Sequence, residues 1–89
     1  MRLLRRTSQF KRDIKRQIKR GKDLALLKEV ILLLSEGQVL KSKNRDHVLA
    51  GGYQGTRECH LEPDWLLIYE LTKDELILIR TGSHADLFE

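Results

Sequence analysis

Residues 56–80 read TRECHLEPDWLLIYELTKDELILIR, and the fold turns on how this stretch is parsed. TRECHLE alternates. Glu58, His60 and Glu62 fall on one side of an extended chain, Cys59 and Leu61 on the other. Pro63 and Asp64 make a corner. WLLIYEL is an apolar run with the length and β-branched and aromatic content of a buried central strand. TKDE is a hairpin turn, and LILIR is the strand that returns. The stretch therefore predicts an antiparallel meander with chemistry-bearing side chains gathered at one of its corners.

Working toward the N-terminus, QVLKSKNRDHVLAGGYQGT is polar and glycine-rich, with Gly51, Gly52 and Gly55. It reads as a loop leading into a weak strand and a turn. Before it, DLALLKEVILLLSEG is helical, with Asp23 as the capping residue and Gly37 as the stop. This helix is apolar around more than half its circumference, so a sheet should cover one side and a second body, such as a partner chain, the other. SQFKRDIKRQIKRG is a helix with a narrow apolar stripe of Phe10, Ile14 and Ile18, capped by Thr7 or Ser8 and ended by Gly21. MRLLRRT opens with a short β-like segment. After the meander, TGSHADLFE offers Ser83 as a cap for one helical turn. The expected architecture is α+β: two helices on one face of a small, mainly antiparallel sheet of four to five strands. Residues 1–89 should form one domain.

Charge is distributed unevenly. The first 22 residues carry ten Lys or Arg and one acid, Asp13, a balance of +9. The remainder carries seven basic residues and twelve acids, a balance of −5. A basic block of this density is an electrostatic footprint for a polyanion. Lys11, Arg12, Lys15, Arg16, Lys19 and Arg20 form its helical part. A single cysteine, Cys59, excludes an internal disulfide and fits a reducing compartment. No apolar segment approaches membrane-spanning length and no secretory leader is legible. The expected setting is cytoplasmic, with no membrane contact.

Three histidines, His47, His60 and His84, all lie in the second half. A meander brings the end of the RECHLE strand, the end of the LILIR strand and the tail toward one sheet face. His60, Asp64, Arg80 and His84 would then meet there, with His47 approaching from the loop. Such a set suits RNA cleavage. A 2′-hydroxyl must lose a proton, a 5′-oxygen must gain one, and the phosphorane between them carries extra negative charge. Histidine, with an ordinary pKa of about 6.5, serves the proton transfers. Arginine supplies fixed positive charge. Trp65, Tyr69 or Phe88 could stack on an unpaired base, although a tryptophan that opens an apolar strand is more often a core residue. A zinc site from Cys59, His60 and His84 lacks any paired-ligand spacing, so no metal and no cofactor is expected. From residues alone, a generic nucleic-acid or protein binder without catalysis stands ahead of a nuclease.

The segments RDHVLAGGYQGTRECHLEPDWLLIYEL and LIRTGSHADLF together resemble the YafQ-like branch of the RelE/ParE toxin superfamily. The matching positions run from Asp46 through His47, Val48, Leu49, Ala50 and Gly51, then from Arg57 to Tyr69, and from Arg80 through Gly82, Ser83 and His84 to Leu87 and Phe88. The resemblance covers roughly residues 45–88 and implies a RelE-like fold and a toxin of a type II toxin–antitoxin system. It further implies a ribosome-dependent endoribonuclease that cuts mRNA in the decoding site without metal. By the same resemblance, His84 and Asp64 are the leading proton-transfer groups, and His47 and His60 orient or neutralise the phosphate. Arg80 stabilises the phosphorane. Trp65 and Phe88 shape the base pocket, with Phe88 also pinning the tail. Val48 departs from the family's usual proline, which frees the backbone around His47.

The implied partners are a cognate antitoxin, mRNA, and ribosomal RNA held by the basic helix. The antitoxin is expected on the apolar face of helix 24–36 and on an edge strand. DNA would be met only indirectly, through the antitoxin, because no helix-turn-helix signature is present. Two alternatives share the fold without the catalysis: a degenerate binding module and a ParE-like gyrase poison.

Overall fold

The alternation and turn chemistry produce a five-stranded sheet, ordered β1-β5-β4-β3-β2. The strands are β1 (Leu3–Arg6), β2 (His47–Val48), β3 (Arg57–Glu62), β4 (Trp65–Leu71) and β5 (Glu75–Gly82). Helices α1 (Ser8–Lys19) and α2 (Leu24–Ser35) precede β2, and α3 (His84–Phe88) follows β5. This computed structural model describes residues 1–49 and 55–88. The glycine-rich segment 50–54, with the turn expected at Gly51 and Gly52, lies outside the described residues, as does Glu89.

Strands β2 to β5 are antiparallel neighbours. The opening strand β1 instead runs parallel to β5, with Leu3 opposite Glu75 and Arg6 opposite Leu78. A parallel partner needs a long crossover, and α1 and α2 lie within it. Thr7 turns the chain from β1 into α1. Its hydroxyl accepts the Phe10 N–H at 3.0 Å and donates to the Ile79 carbonyl at 2.7 Å. One side chain thereby caps α1 and ties its start to β5.

Both helices cover the same sheet face. Phe10 of α1 and Leu27, Val30 and Leu34 of α2 pack with Cys59, Leu61, Trp65, Leu67, Tyr69, Leu76 and Leu78. The α1 stripe differs from the sequence expectation. Its buried line is Phe10, Asp13 and Gln17, whereas Ile18 is 53% exposed. An ion pair, described below, draws Asp13 inward and rotates Ile18 outward. The expected broad apolar surface of α2 is present: the inner residues are buried and Leu32 is exposed. Among the described residues, the opposite sheet face has a small cluster, Leu66, Ile68 and Leu87, with Leu49 and Ile79 at its margin. Among the described residues, no helix is long and apolar enough to cross a membrane.

Candidate active site

The face away from α1 and α2 carries the polar side chains. The register places His47 opposite Glu58, Glu58 opposite Ile68, and Ile68 opposite Arg80. These four form one row across β2, β3, β4 and β5. The next row holds His60, Leu66 and Gly82. Helix α3 folds back over Leu66 and Ile68 through Leu87, which is buried. At Gly82 this return is tight: a side-chain carbon there would meet Asp86 at 2.8 Å.

The return brings the histidines into line. The His47 and His60 ring centroids are 6.5 Å apart, those of His60 and His84 5.9 Å, and those of His84 and Phe88 6.4 Å. Asp64, at the β3–β4 corner, accepts both the backbone N–H and the Nδ1 of His84 on one oxygen, at 2.9 and 2.6 Å. An ionised carboxylate only accepts, so His84 carries its proton on Nδ1 and presents Nε2 for chemistry. The two bonds from His84, backbone first, hold the Asp64 carboxyl below its ordinary pKa.

His47 is fixed despite the missing proline. Its Nδ1 lies 2.7 Å from the Arg45 carbonyl, and its backbone pairs in β2. The preceding Asp46 accepts from Arg57 at 3.2 and 3.3 Å and from the Tyr69 hydroxyl, which anchors β2 to its neighbours. Glu58 was legible as a member of the polar face but not as a site residue. Its carboxylate is 3.4 Å from His47 Nε2 and 3.6 Å from His60 Nε2. The signal was its position two residues before His60 on the same side of a strand.

Arg80 shares the face by register, and its guanidinium reaches Asp13 of α1. Nε and Nη2 each sit 3.0 Å from a carboxylate oxygen. Trp65 corrects an expectation. It is 0% exposed within the helix-side core, so it offers no surface to a base. Its indole N–H donates to Thr81 Oγ1 at 2.9 Å. Phe88, 45% exposed, borders the histidines, and Leu87 beside it is buried against Leu66 and Ile68. Cys59 faces the core, and burial pushes its thiol pKa up to about 12, which leaves it unreactive.

The basic residues of α1 are all exposed. Lys11, Arg12, Lys15 and Lys19 line that surface. Arg16 and Arg20 also turn to Asp86 of α3, at 3.5 and 2.6 Å. Beside His60 opens a groove of about 300 Å³, lined by Lys43, Asn44, Arg45, Leu61, Glu62 and Pro63. Among the described residues, no group of three or more His, Cys, Asp or Glu is set to hold a metal ion.

This arrangement has recognisable relatives. The family model for YafQ, the bacterial toxin of type II toxin–antitoxin systems, matches residues 2–89. The mRNA interferase toxin YafQ of Escherichia coli K12 is 43% identical over 83 residues, 92% of this chain and 90% of its own length. The toxin of the E. coli DinJ–YafQ toxin–antitoxin complex superposes with a TM-score of 0.92 at 42% identity, covering 99% of this chain and 98% of that one. A metal-bound toxin from Helicobacter pylori superposes with a TM-score of 0.93 at 43% identity, covering 99% and 100%.

Proposed function

The chain belongs to the YafQ family of type II toxin–antitoxin toxins, and from that premise we propose that it is an endoribonuclease that cuts mRNA in the decoding site of the ribosome by metal-free 2′-hydroxyl attack. The 2′-oxygen bonds to phosphorus as the bond to the 5′-oxygen breaks. One proton leaves the first oxygen and one reaches the second. Products are a 2′,3′-cyclic phosphate and a 5′-hydroxyl. His84 Nε2 is the group we assign to proton transfer, with Asp64 holding its ring. His60 and His47 flank the phosphate, Arg80 stabilises the phosphorane, and Phe88 borders the base.

One observation carries this reading: His84 is locked by Asp64 at 2.6 Å in a ring line with His60 and His47. Three imidazoles within reach of one phosphodiester have no evident use in a pure binding module. Lys11, Arg12, Lys15 and Lys19 suit ribosomal RNA phosphates, which position without reading sequence. The DinJ–YafQ relative supports a protein antitoxin as the partner, and the exposed Leu32 side of α2 suits an amphipathic segment.

Induction in a bacterium followed by mapping of mRNA 5′ ends tests the assignment. Wild type should create new ends within codons on translated messages, and His84→Ala should not. Identical ends from both would refute it. Cleavage should also survive EDTA for as long as the ribosome stays assembled. A strict requirement for added metal on a minimal RNA would refute the metal-free step, a point sharpened by the metal-bound relative.

A further inference from the structure

Asp13 is the one acid among the first 22 residues, and it is 1% exposed. A carboxylate in such a place is costly unless it is paired and hydrogen-bonded. This one is fully engaged. Oδ2 accepts Arg80 Nε at 3.0 Å and the Thr81 backbone N–H at 3.2 Å. Oδ1 accepts Arg80 Nη2 at 3.0 Å and Gln9 Nε2 at 3.0 Å. Burial by itself would raise its pKa. The bonds from Arg80, Gln9 and Thr81 together outweigh that and keep it ionised.

We propose that Asp13 is the positioning residue for Arg80: it sets the plane and direction of the guanidinium that meets the scissile phosphate. A two-point grip on Nε and Nη2 fixes a planar fork in a way that a single contact cannot. The side chain of arginine otherwise samples many rotamers, and each would have to be suppressed during the reaction. The same carboxylate extends the grip to the strand. Thr81, held by Asp13 through its N–H, accepts from Trp65 Nε1 and donates to the Leu66 carbonyl at 2.7 Å. Trp65 directly follows Asp64. One buried acid on the basic helix thus fixes Arg80 and links the end of β5 to the corner that holds His84. Trp65 belongs to this support and acts from beneath the site.

The inference rests on the reading of Arg80 as the phosphorane-stabilising residue, and a double-mutant cycle separates the two. Single-turnover cleavage on programmed ribosomes would be measured for Asp13→Asn, Arg80→Ala and the double variant, with ribosome affinity and thermal melting alongside. Asp13→Asn should slow cleavage on the order of a hundredfold, the size of a misplaced catalytic group, with ribosome affinity unchanged. In the Arg80→Ala background it should slow cleavage no further. An equal further loss in that background would overturn the proposal, as would wild-type cleavage by Asp13→Asn. Wild-type cleavage by Arg80→Ala would overturn the reading of Arg80 itself, and the proposal with it. If Asp13→Asn fails to fold, Asp13→Glu carries the same cycle. It keeps the charge and moves the carboxylate by one methylene, and the same absence of a further loss with Arg80→Ala is expected.

Discussion

The two faces of the one sheet are built to different rules. Toward α1 and α2, Cys59, Trp65, Leu67, Tyr69, Leu76 and Leu78 are all 0% exposed, held by packing against long helices. On the other side, the apolar cover among the described residues is a small cluster, Leu66, Ile68 and Leu87 with Leu49 and Ile79 at its margin, under a five-residue helix. Adjacent positions of β3 make the contrast sharp. Cys59 is sealed in the core, and His60 stands in the histidine line. Because side chains alternate along a strand, one short chain places its main core on one face and its line of histidines on the other. The open face should therefore tolerate damage that the packed face cannot.

The strongest attempt to break this contrast compares two leucines. Leu67→Ala opens a cavity in the main core and should cost about 3 kcal/mol. In a domain of this size that lowers the melting temperature by more than about 10 °C. Leu87→Ala should cost clearly less, because α3 can detach without opening the core, which caps the penalty at a local opening. Yet Leu87→Ala should slow cleavage on the order of a hundredfold, since His84 rides on α3. Thermal melts and cleavage assays of both variants decide the matter. Equal losses of melting temperature would mean that the faces are one cooperative unit and the division drawn here is false.

How much of this was legible follows from the kind of interaction involved. The meander was readable because β3 alternates and TKDE is a plain hairpin turn. The meeting of His60, Asp64 and His84 followed from that topology together with the Pro63–Asp64 corner. Trp65 was harder. Trp65 to Tyr69 are buried on both faces, so the run is apolar throughout and shows no alternation from which to assign a face. Counting back from Tyr69 and Leu67 would have put Trp65 in the core, and burial hides that arithmetic. The inward turn of Asp13 was illegible for another reason. Its partner, Arg80, is 67 residues away, and nothing local distinguishes a buried acid on a basic helix from a solvated one. Strand β1 had the same problem: four residues have too little pattern to announce a parallel partner at the far end of the chain. Asp86 likewise gains meaning only when α1 and α3 are brought together.

Asp86 also supplies the finest test of the comparison. The packed face is held mainly by apolar contacts, which protons do not alter, with the depressed carboxylate of Asp13 tying α1 to Arg80 at its edge. The open face is held partly by carboxylates. Arg20 chiefly, against the opposing effect of burial and with help from the Ser83 N–H and hydroxyl, holds the Asp86 carboxyl far below its ordinary 3.8. Asp64 is lowered by its bonds from His84. A carboxyl whose pKa is depressed on folding stabilises the fold above the unfolded value and loses that contribution as pH falls through the folded value. Acid should therefore loosen α3 while the α1–α2 core stays packed. In ¹H–¹⁵N spectra followed from about pH 6 downward, the Ser83 amide, bonded to Asp86 at 2.9 Å, should begin to move only well below 3.8. Amides of Leu67 and Leu78 should stay in place over that range. In Asp86→Asn the Ser83 response should vanish, while the His84 amide, bonded to Asp64, should still titrate. In Arg20→Ala the Ser83 midpoint should climb toward 3.8. A Ser83 amide that titrates at or above 3.8 in the unaltered protein would show that Arg20 does not hold Asp86 in solution. Helix α3 would then lose its tie to α1 through Arg20, and the open face would be even more loosely held than its geometry indicates.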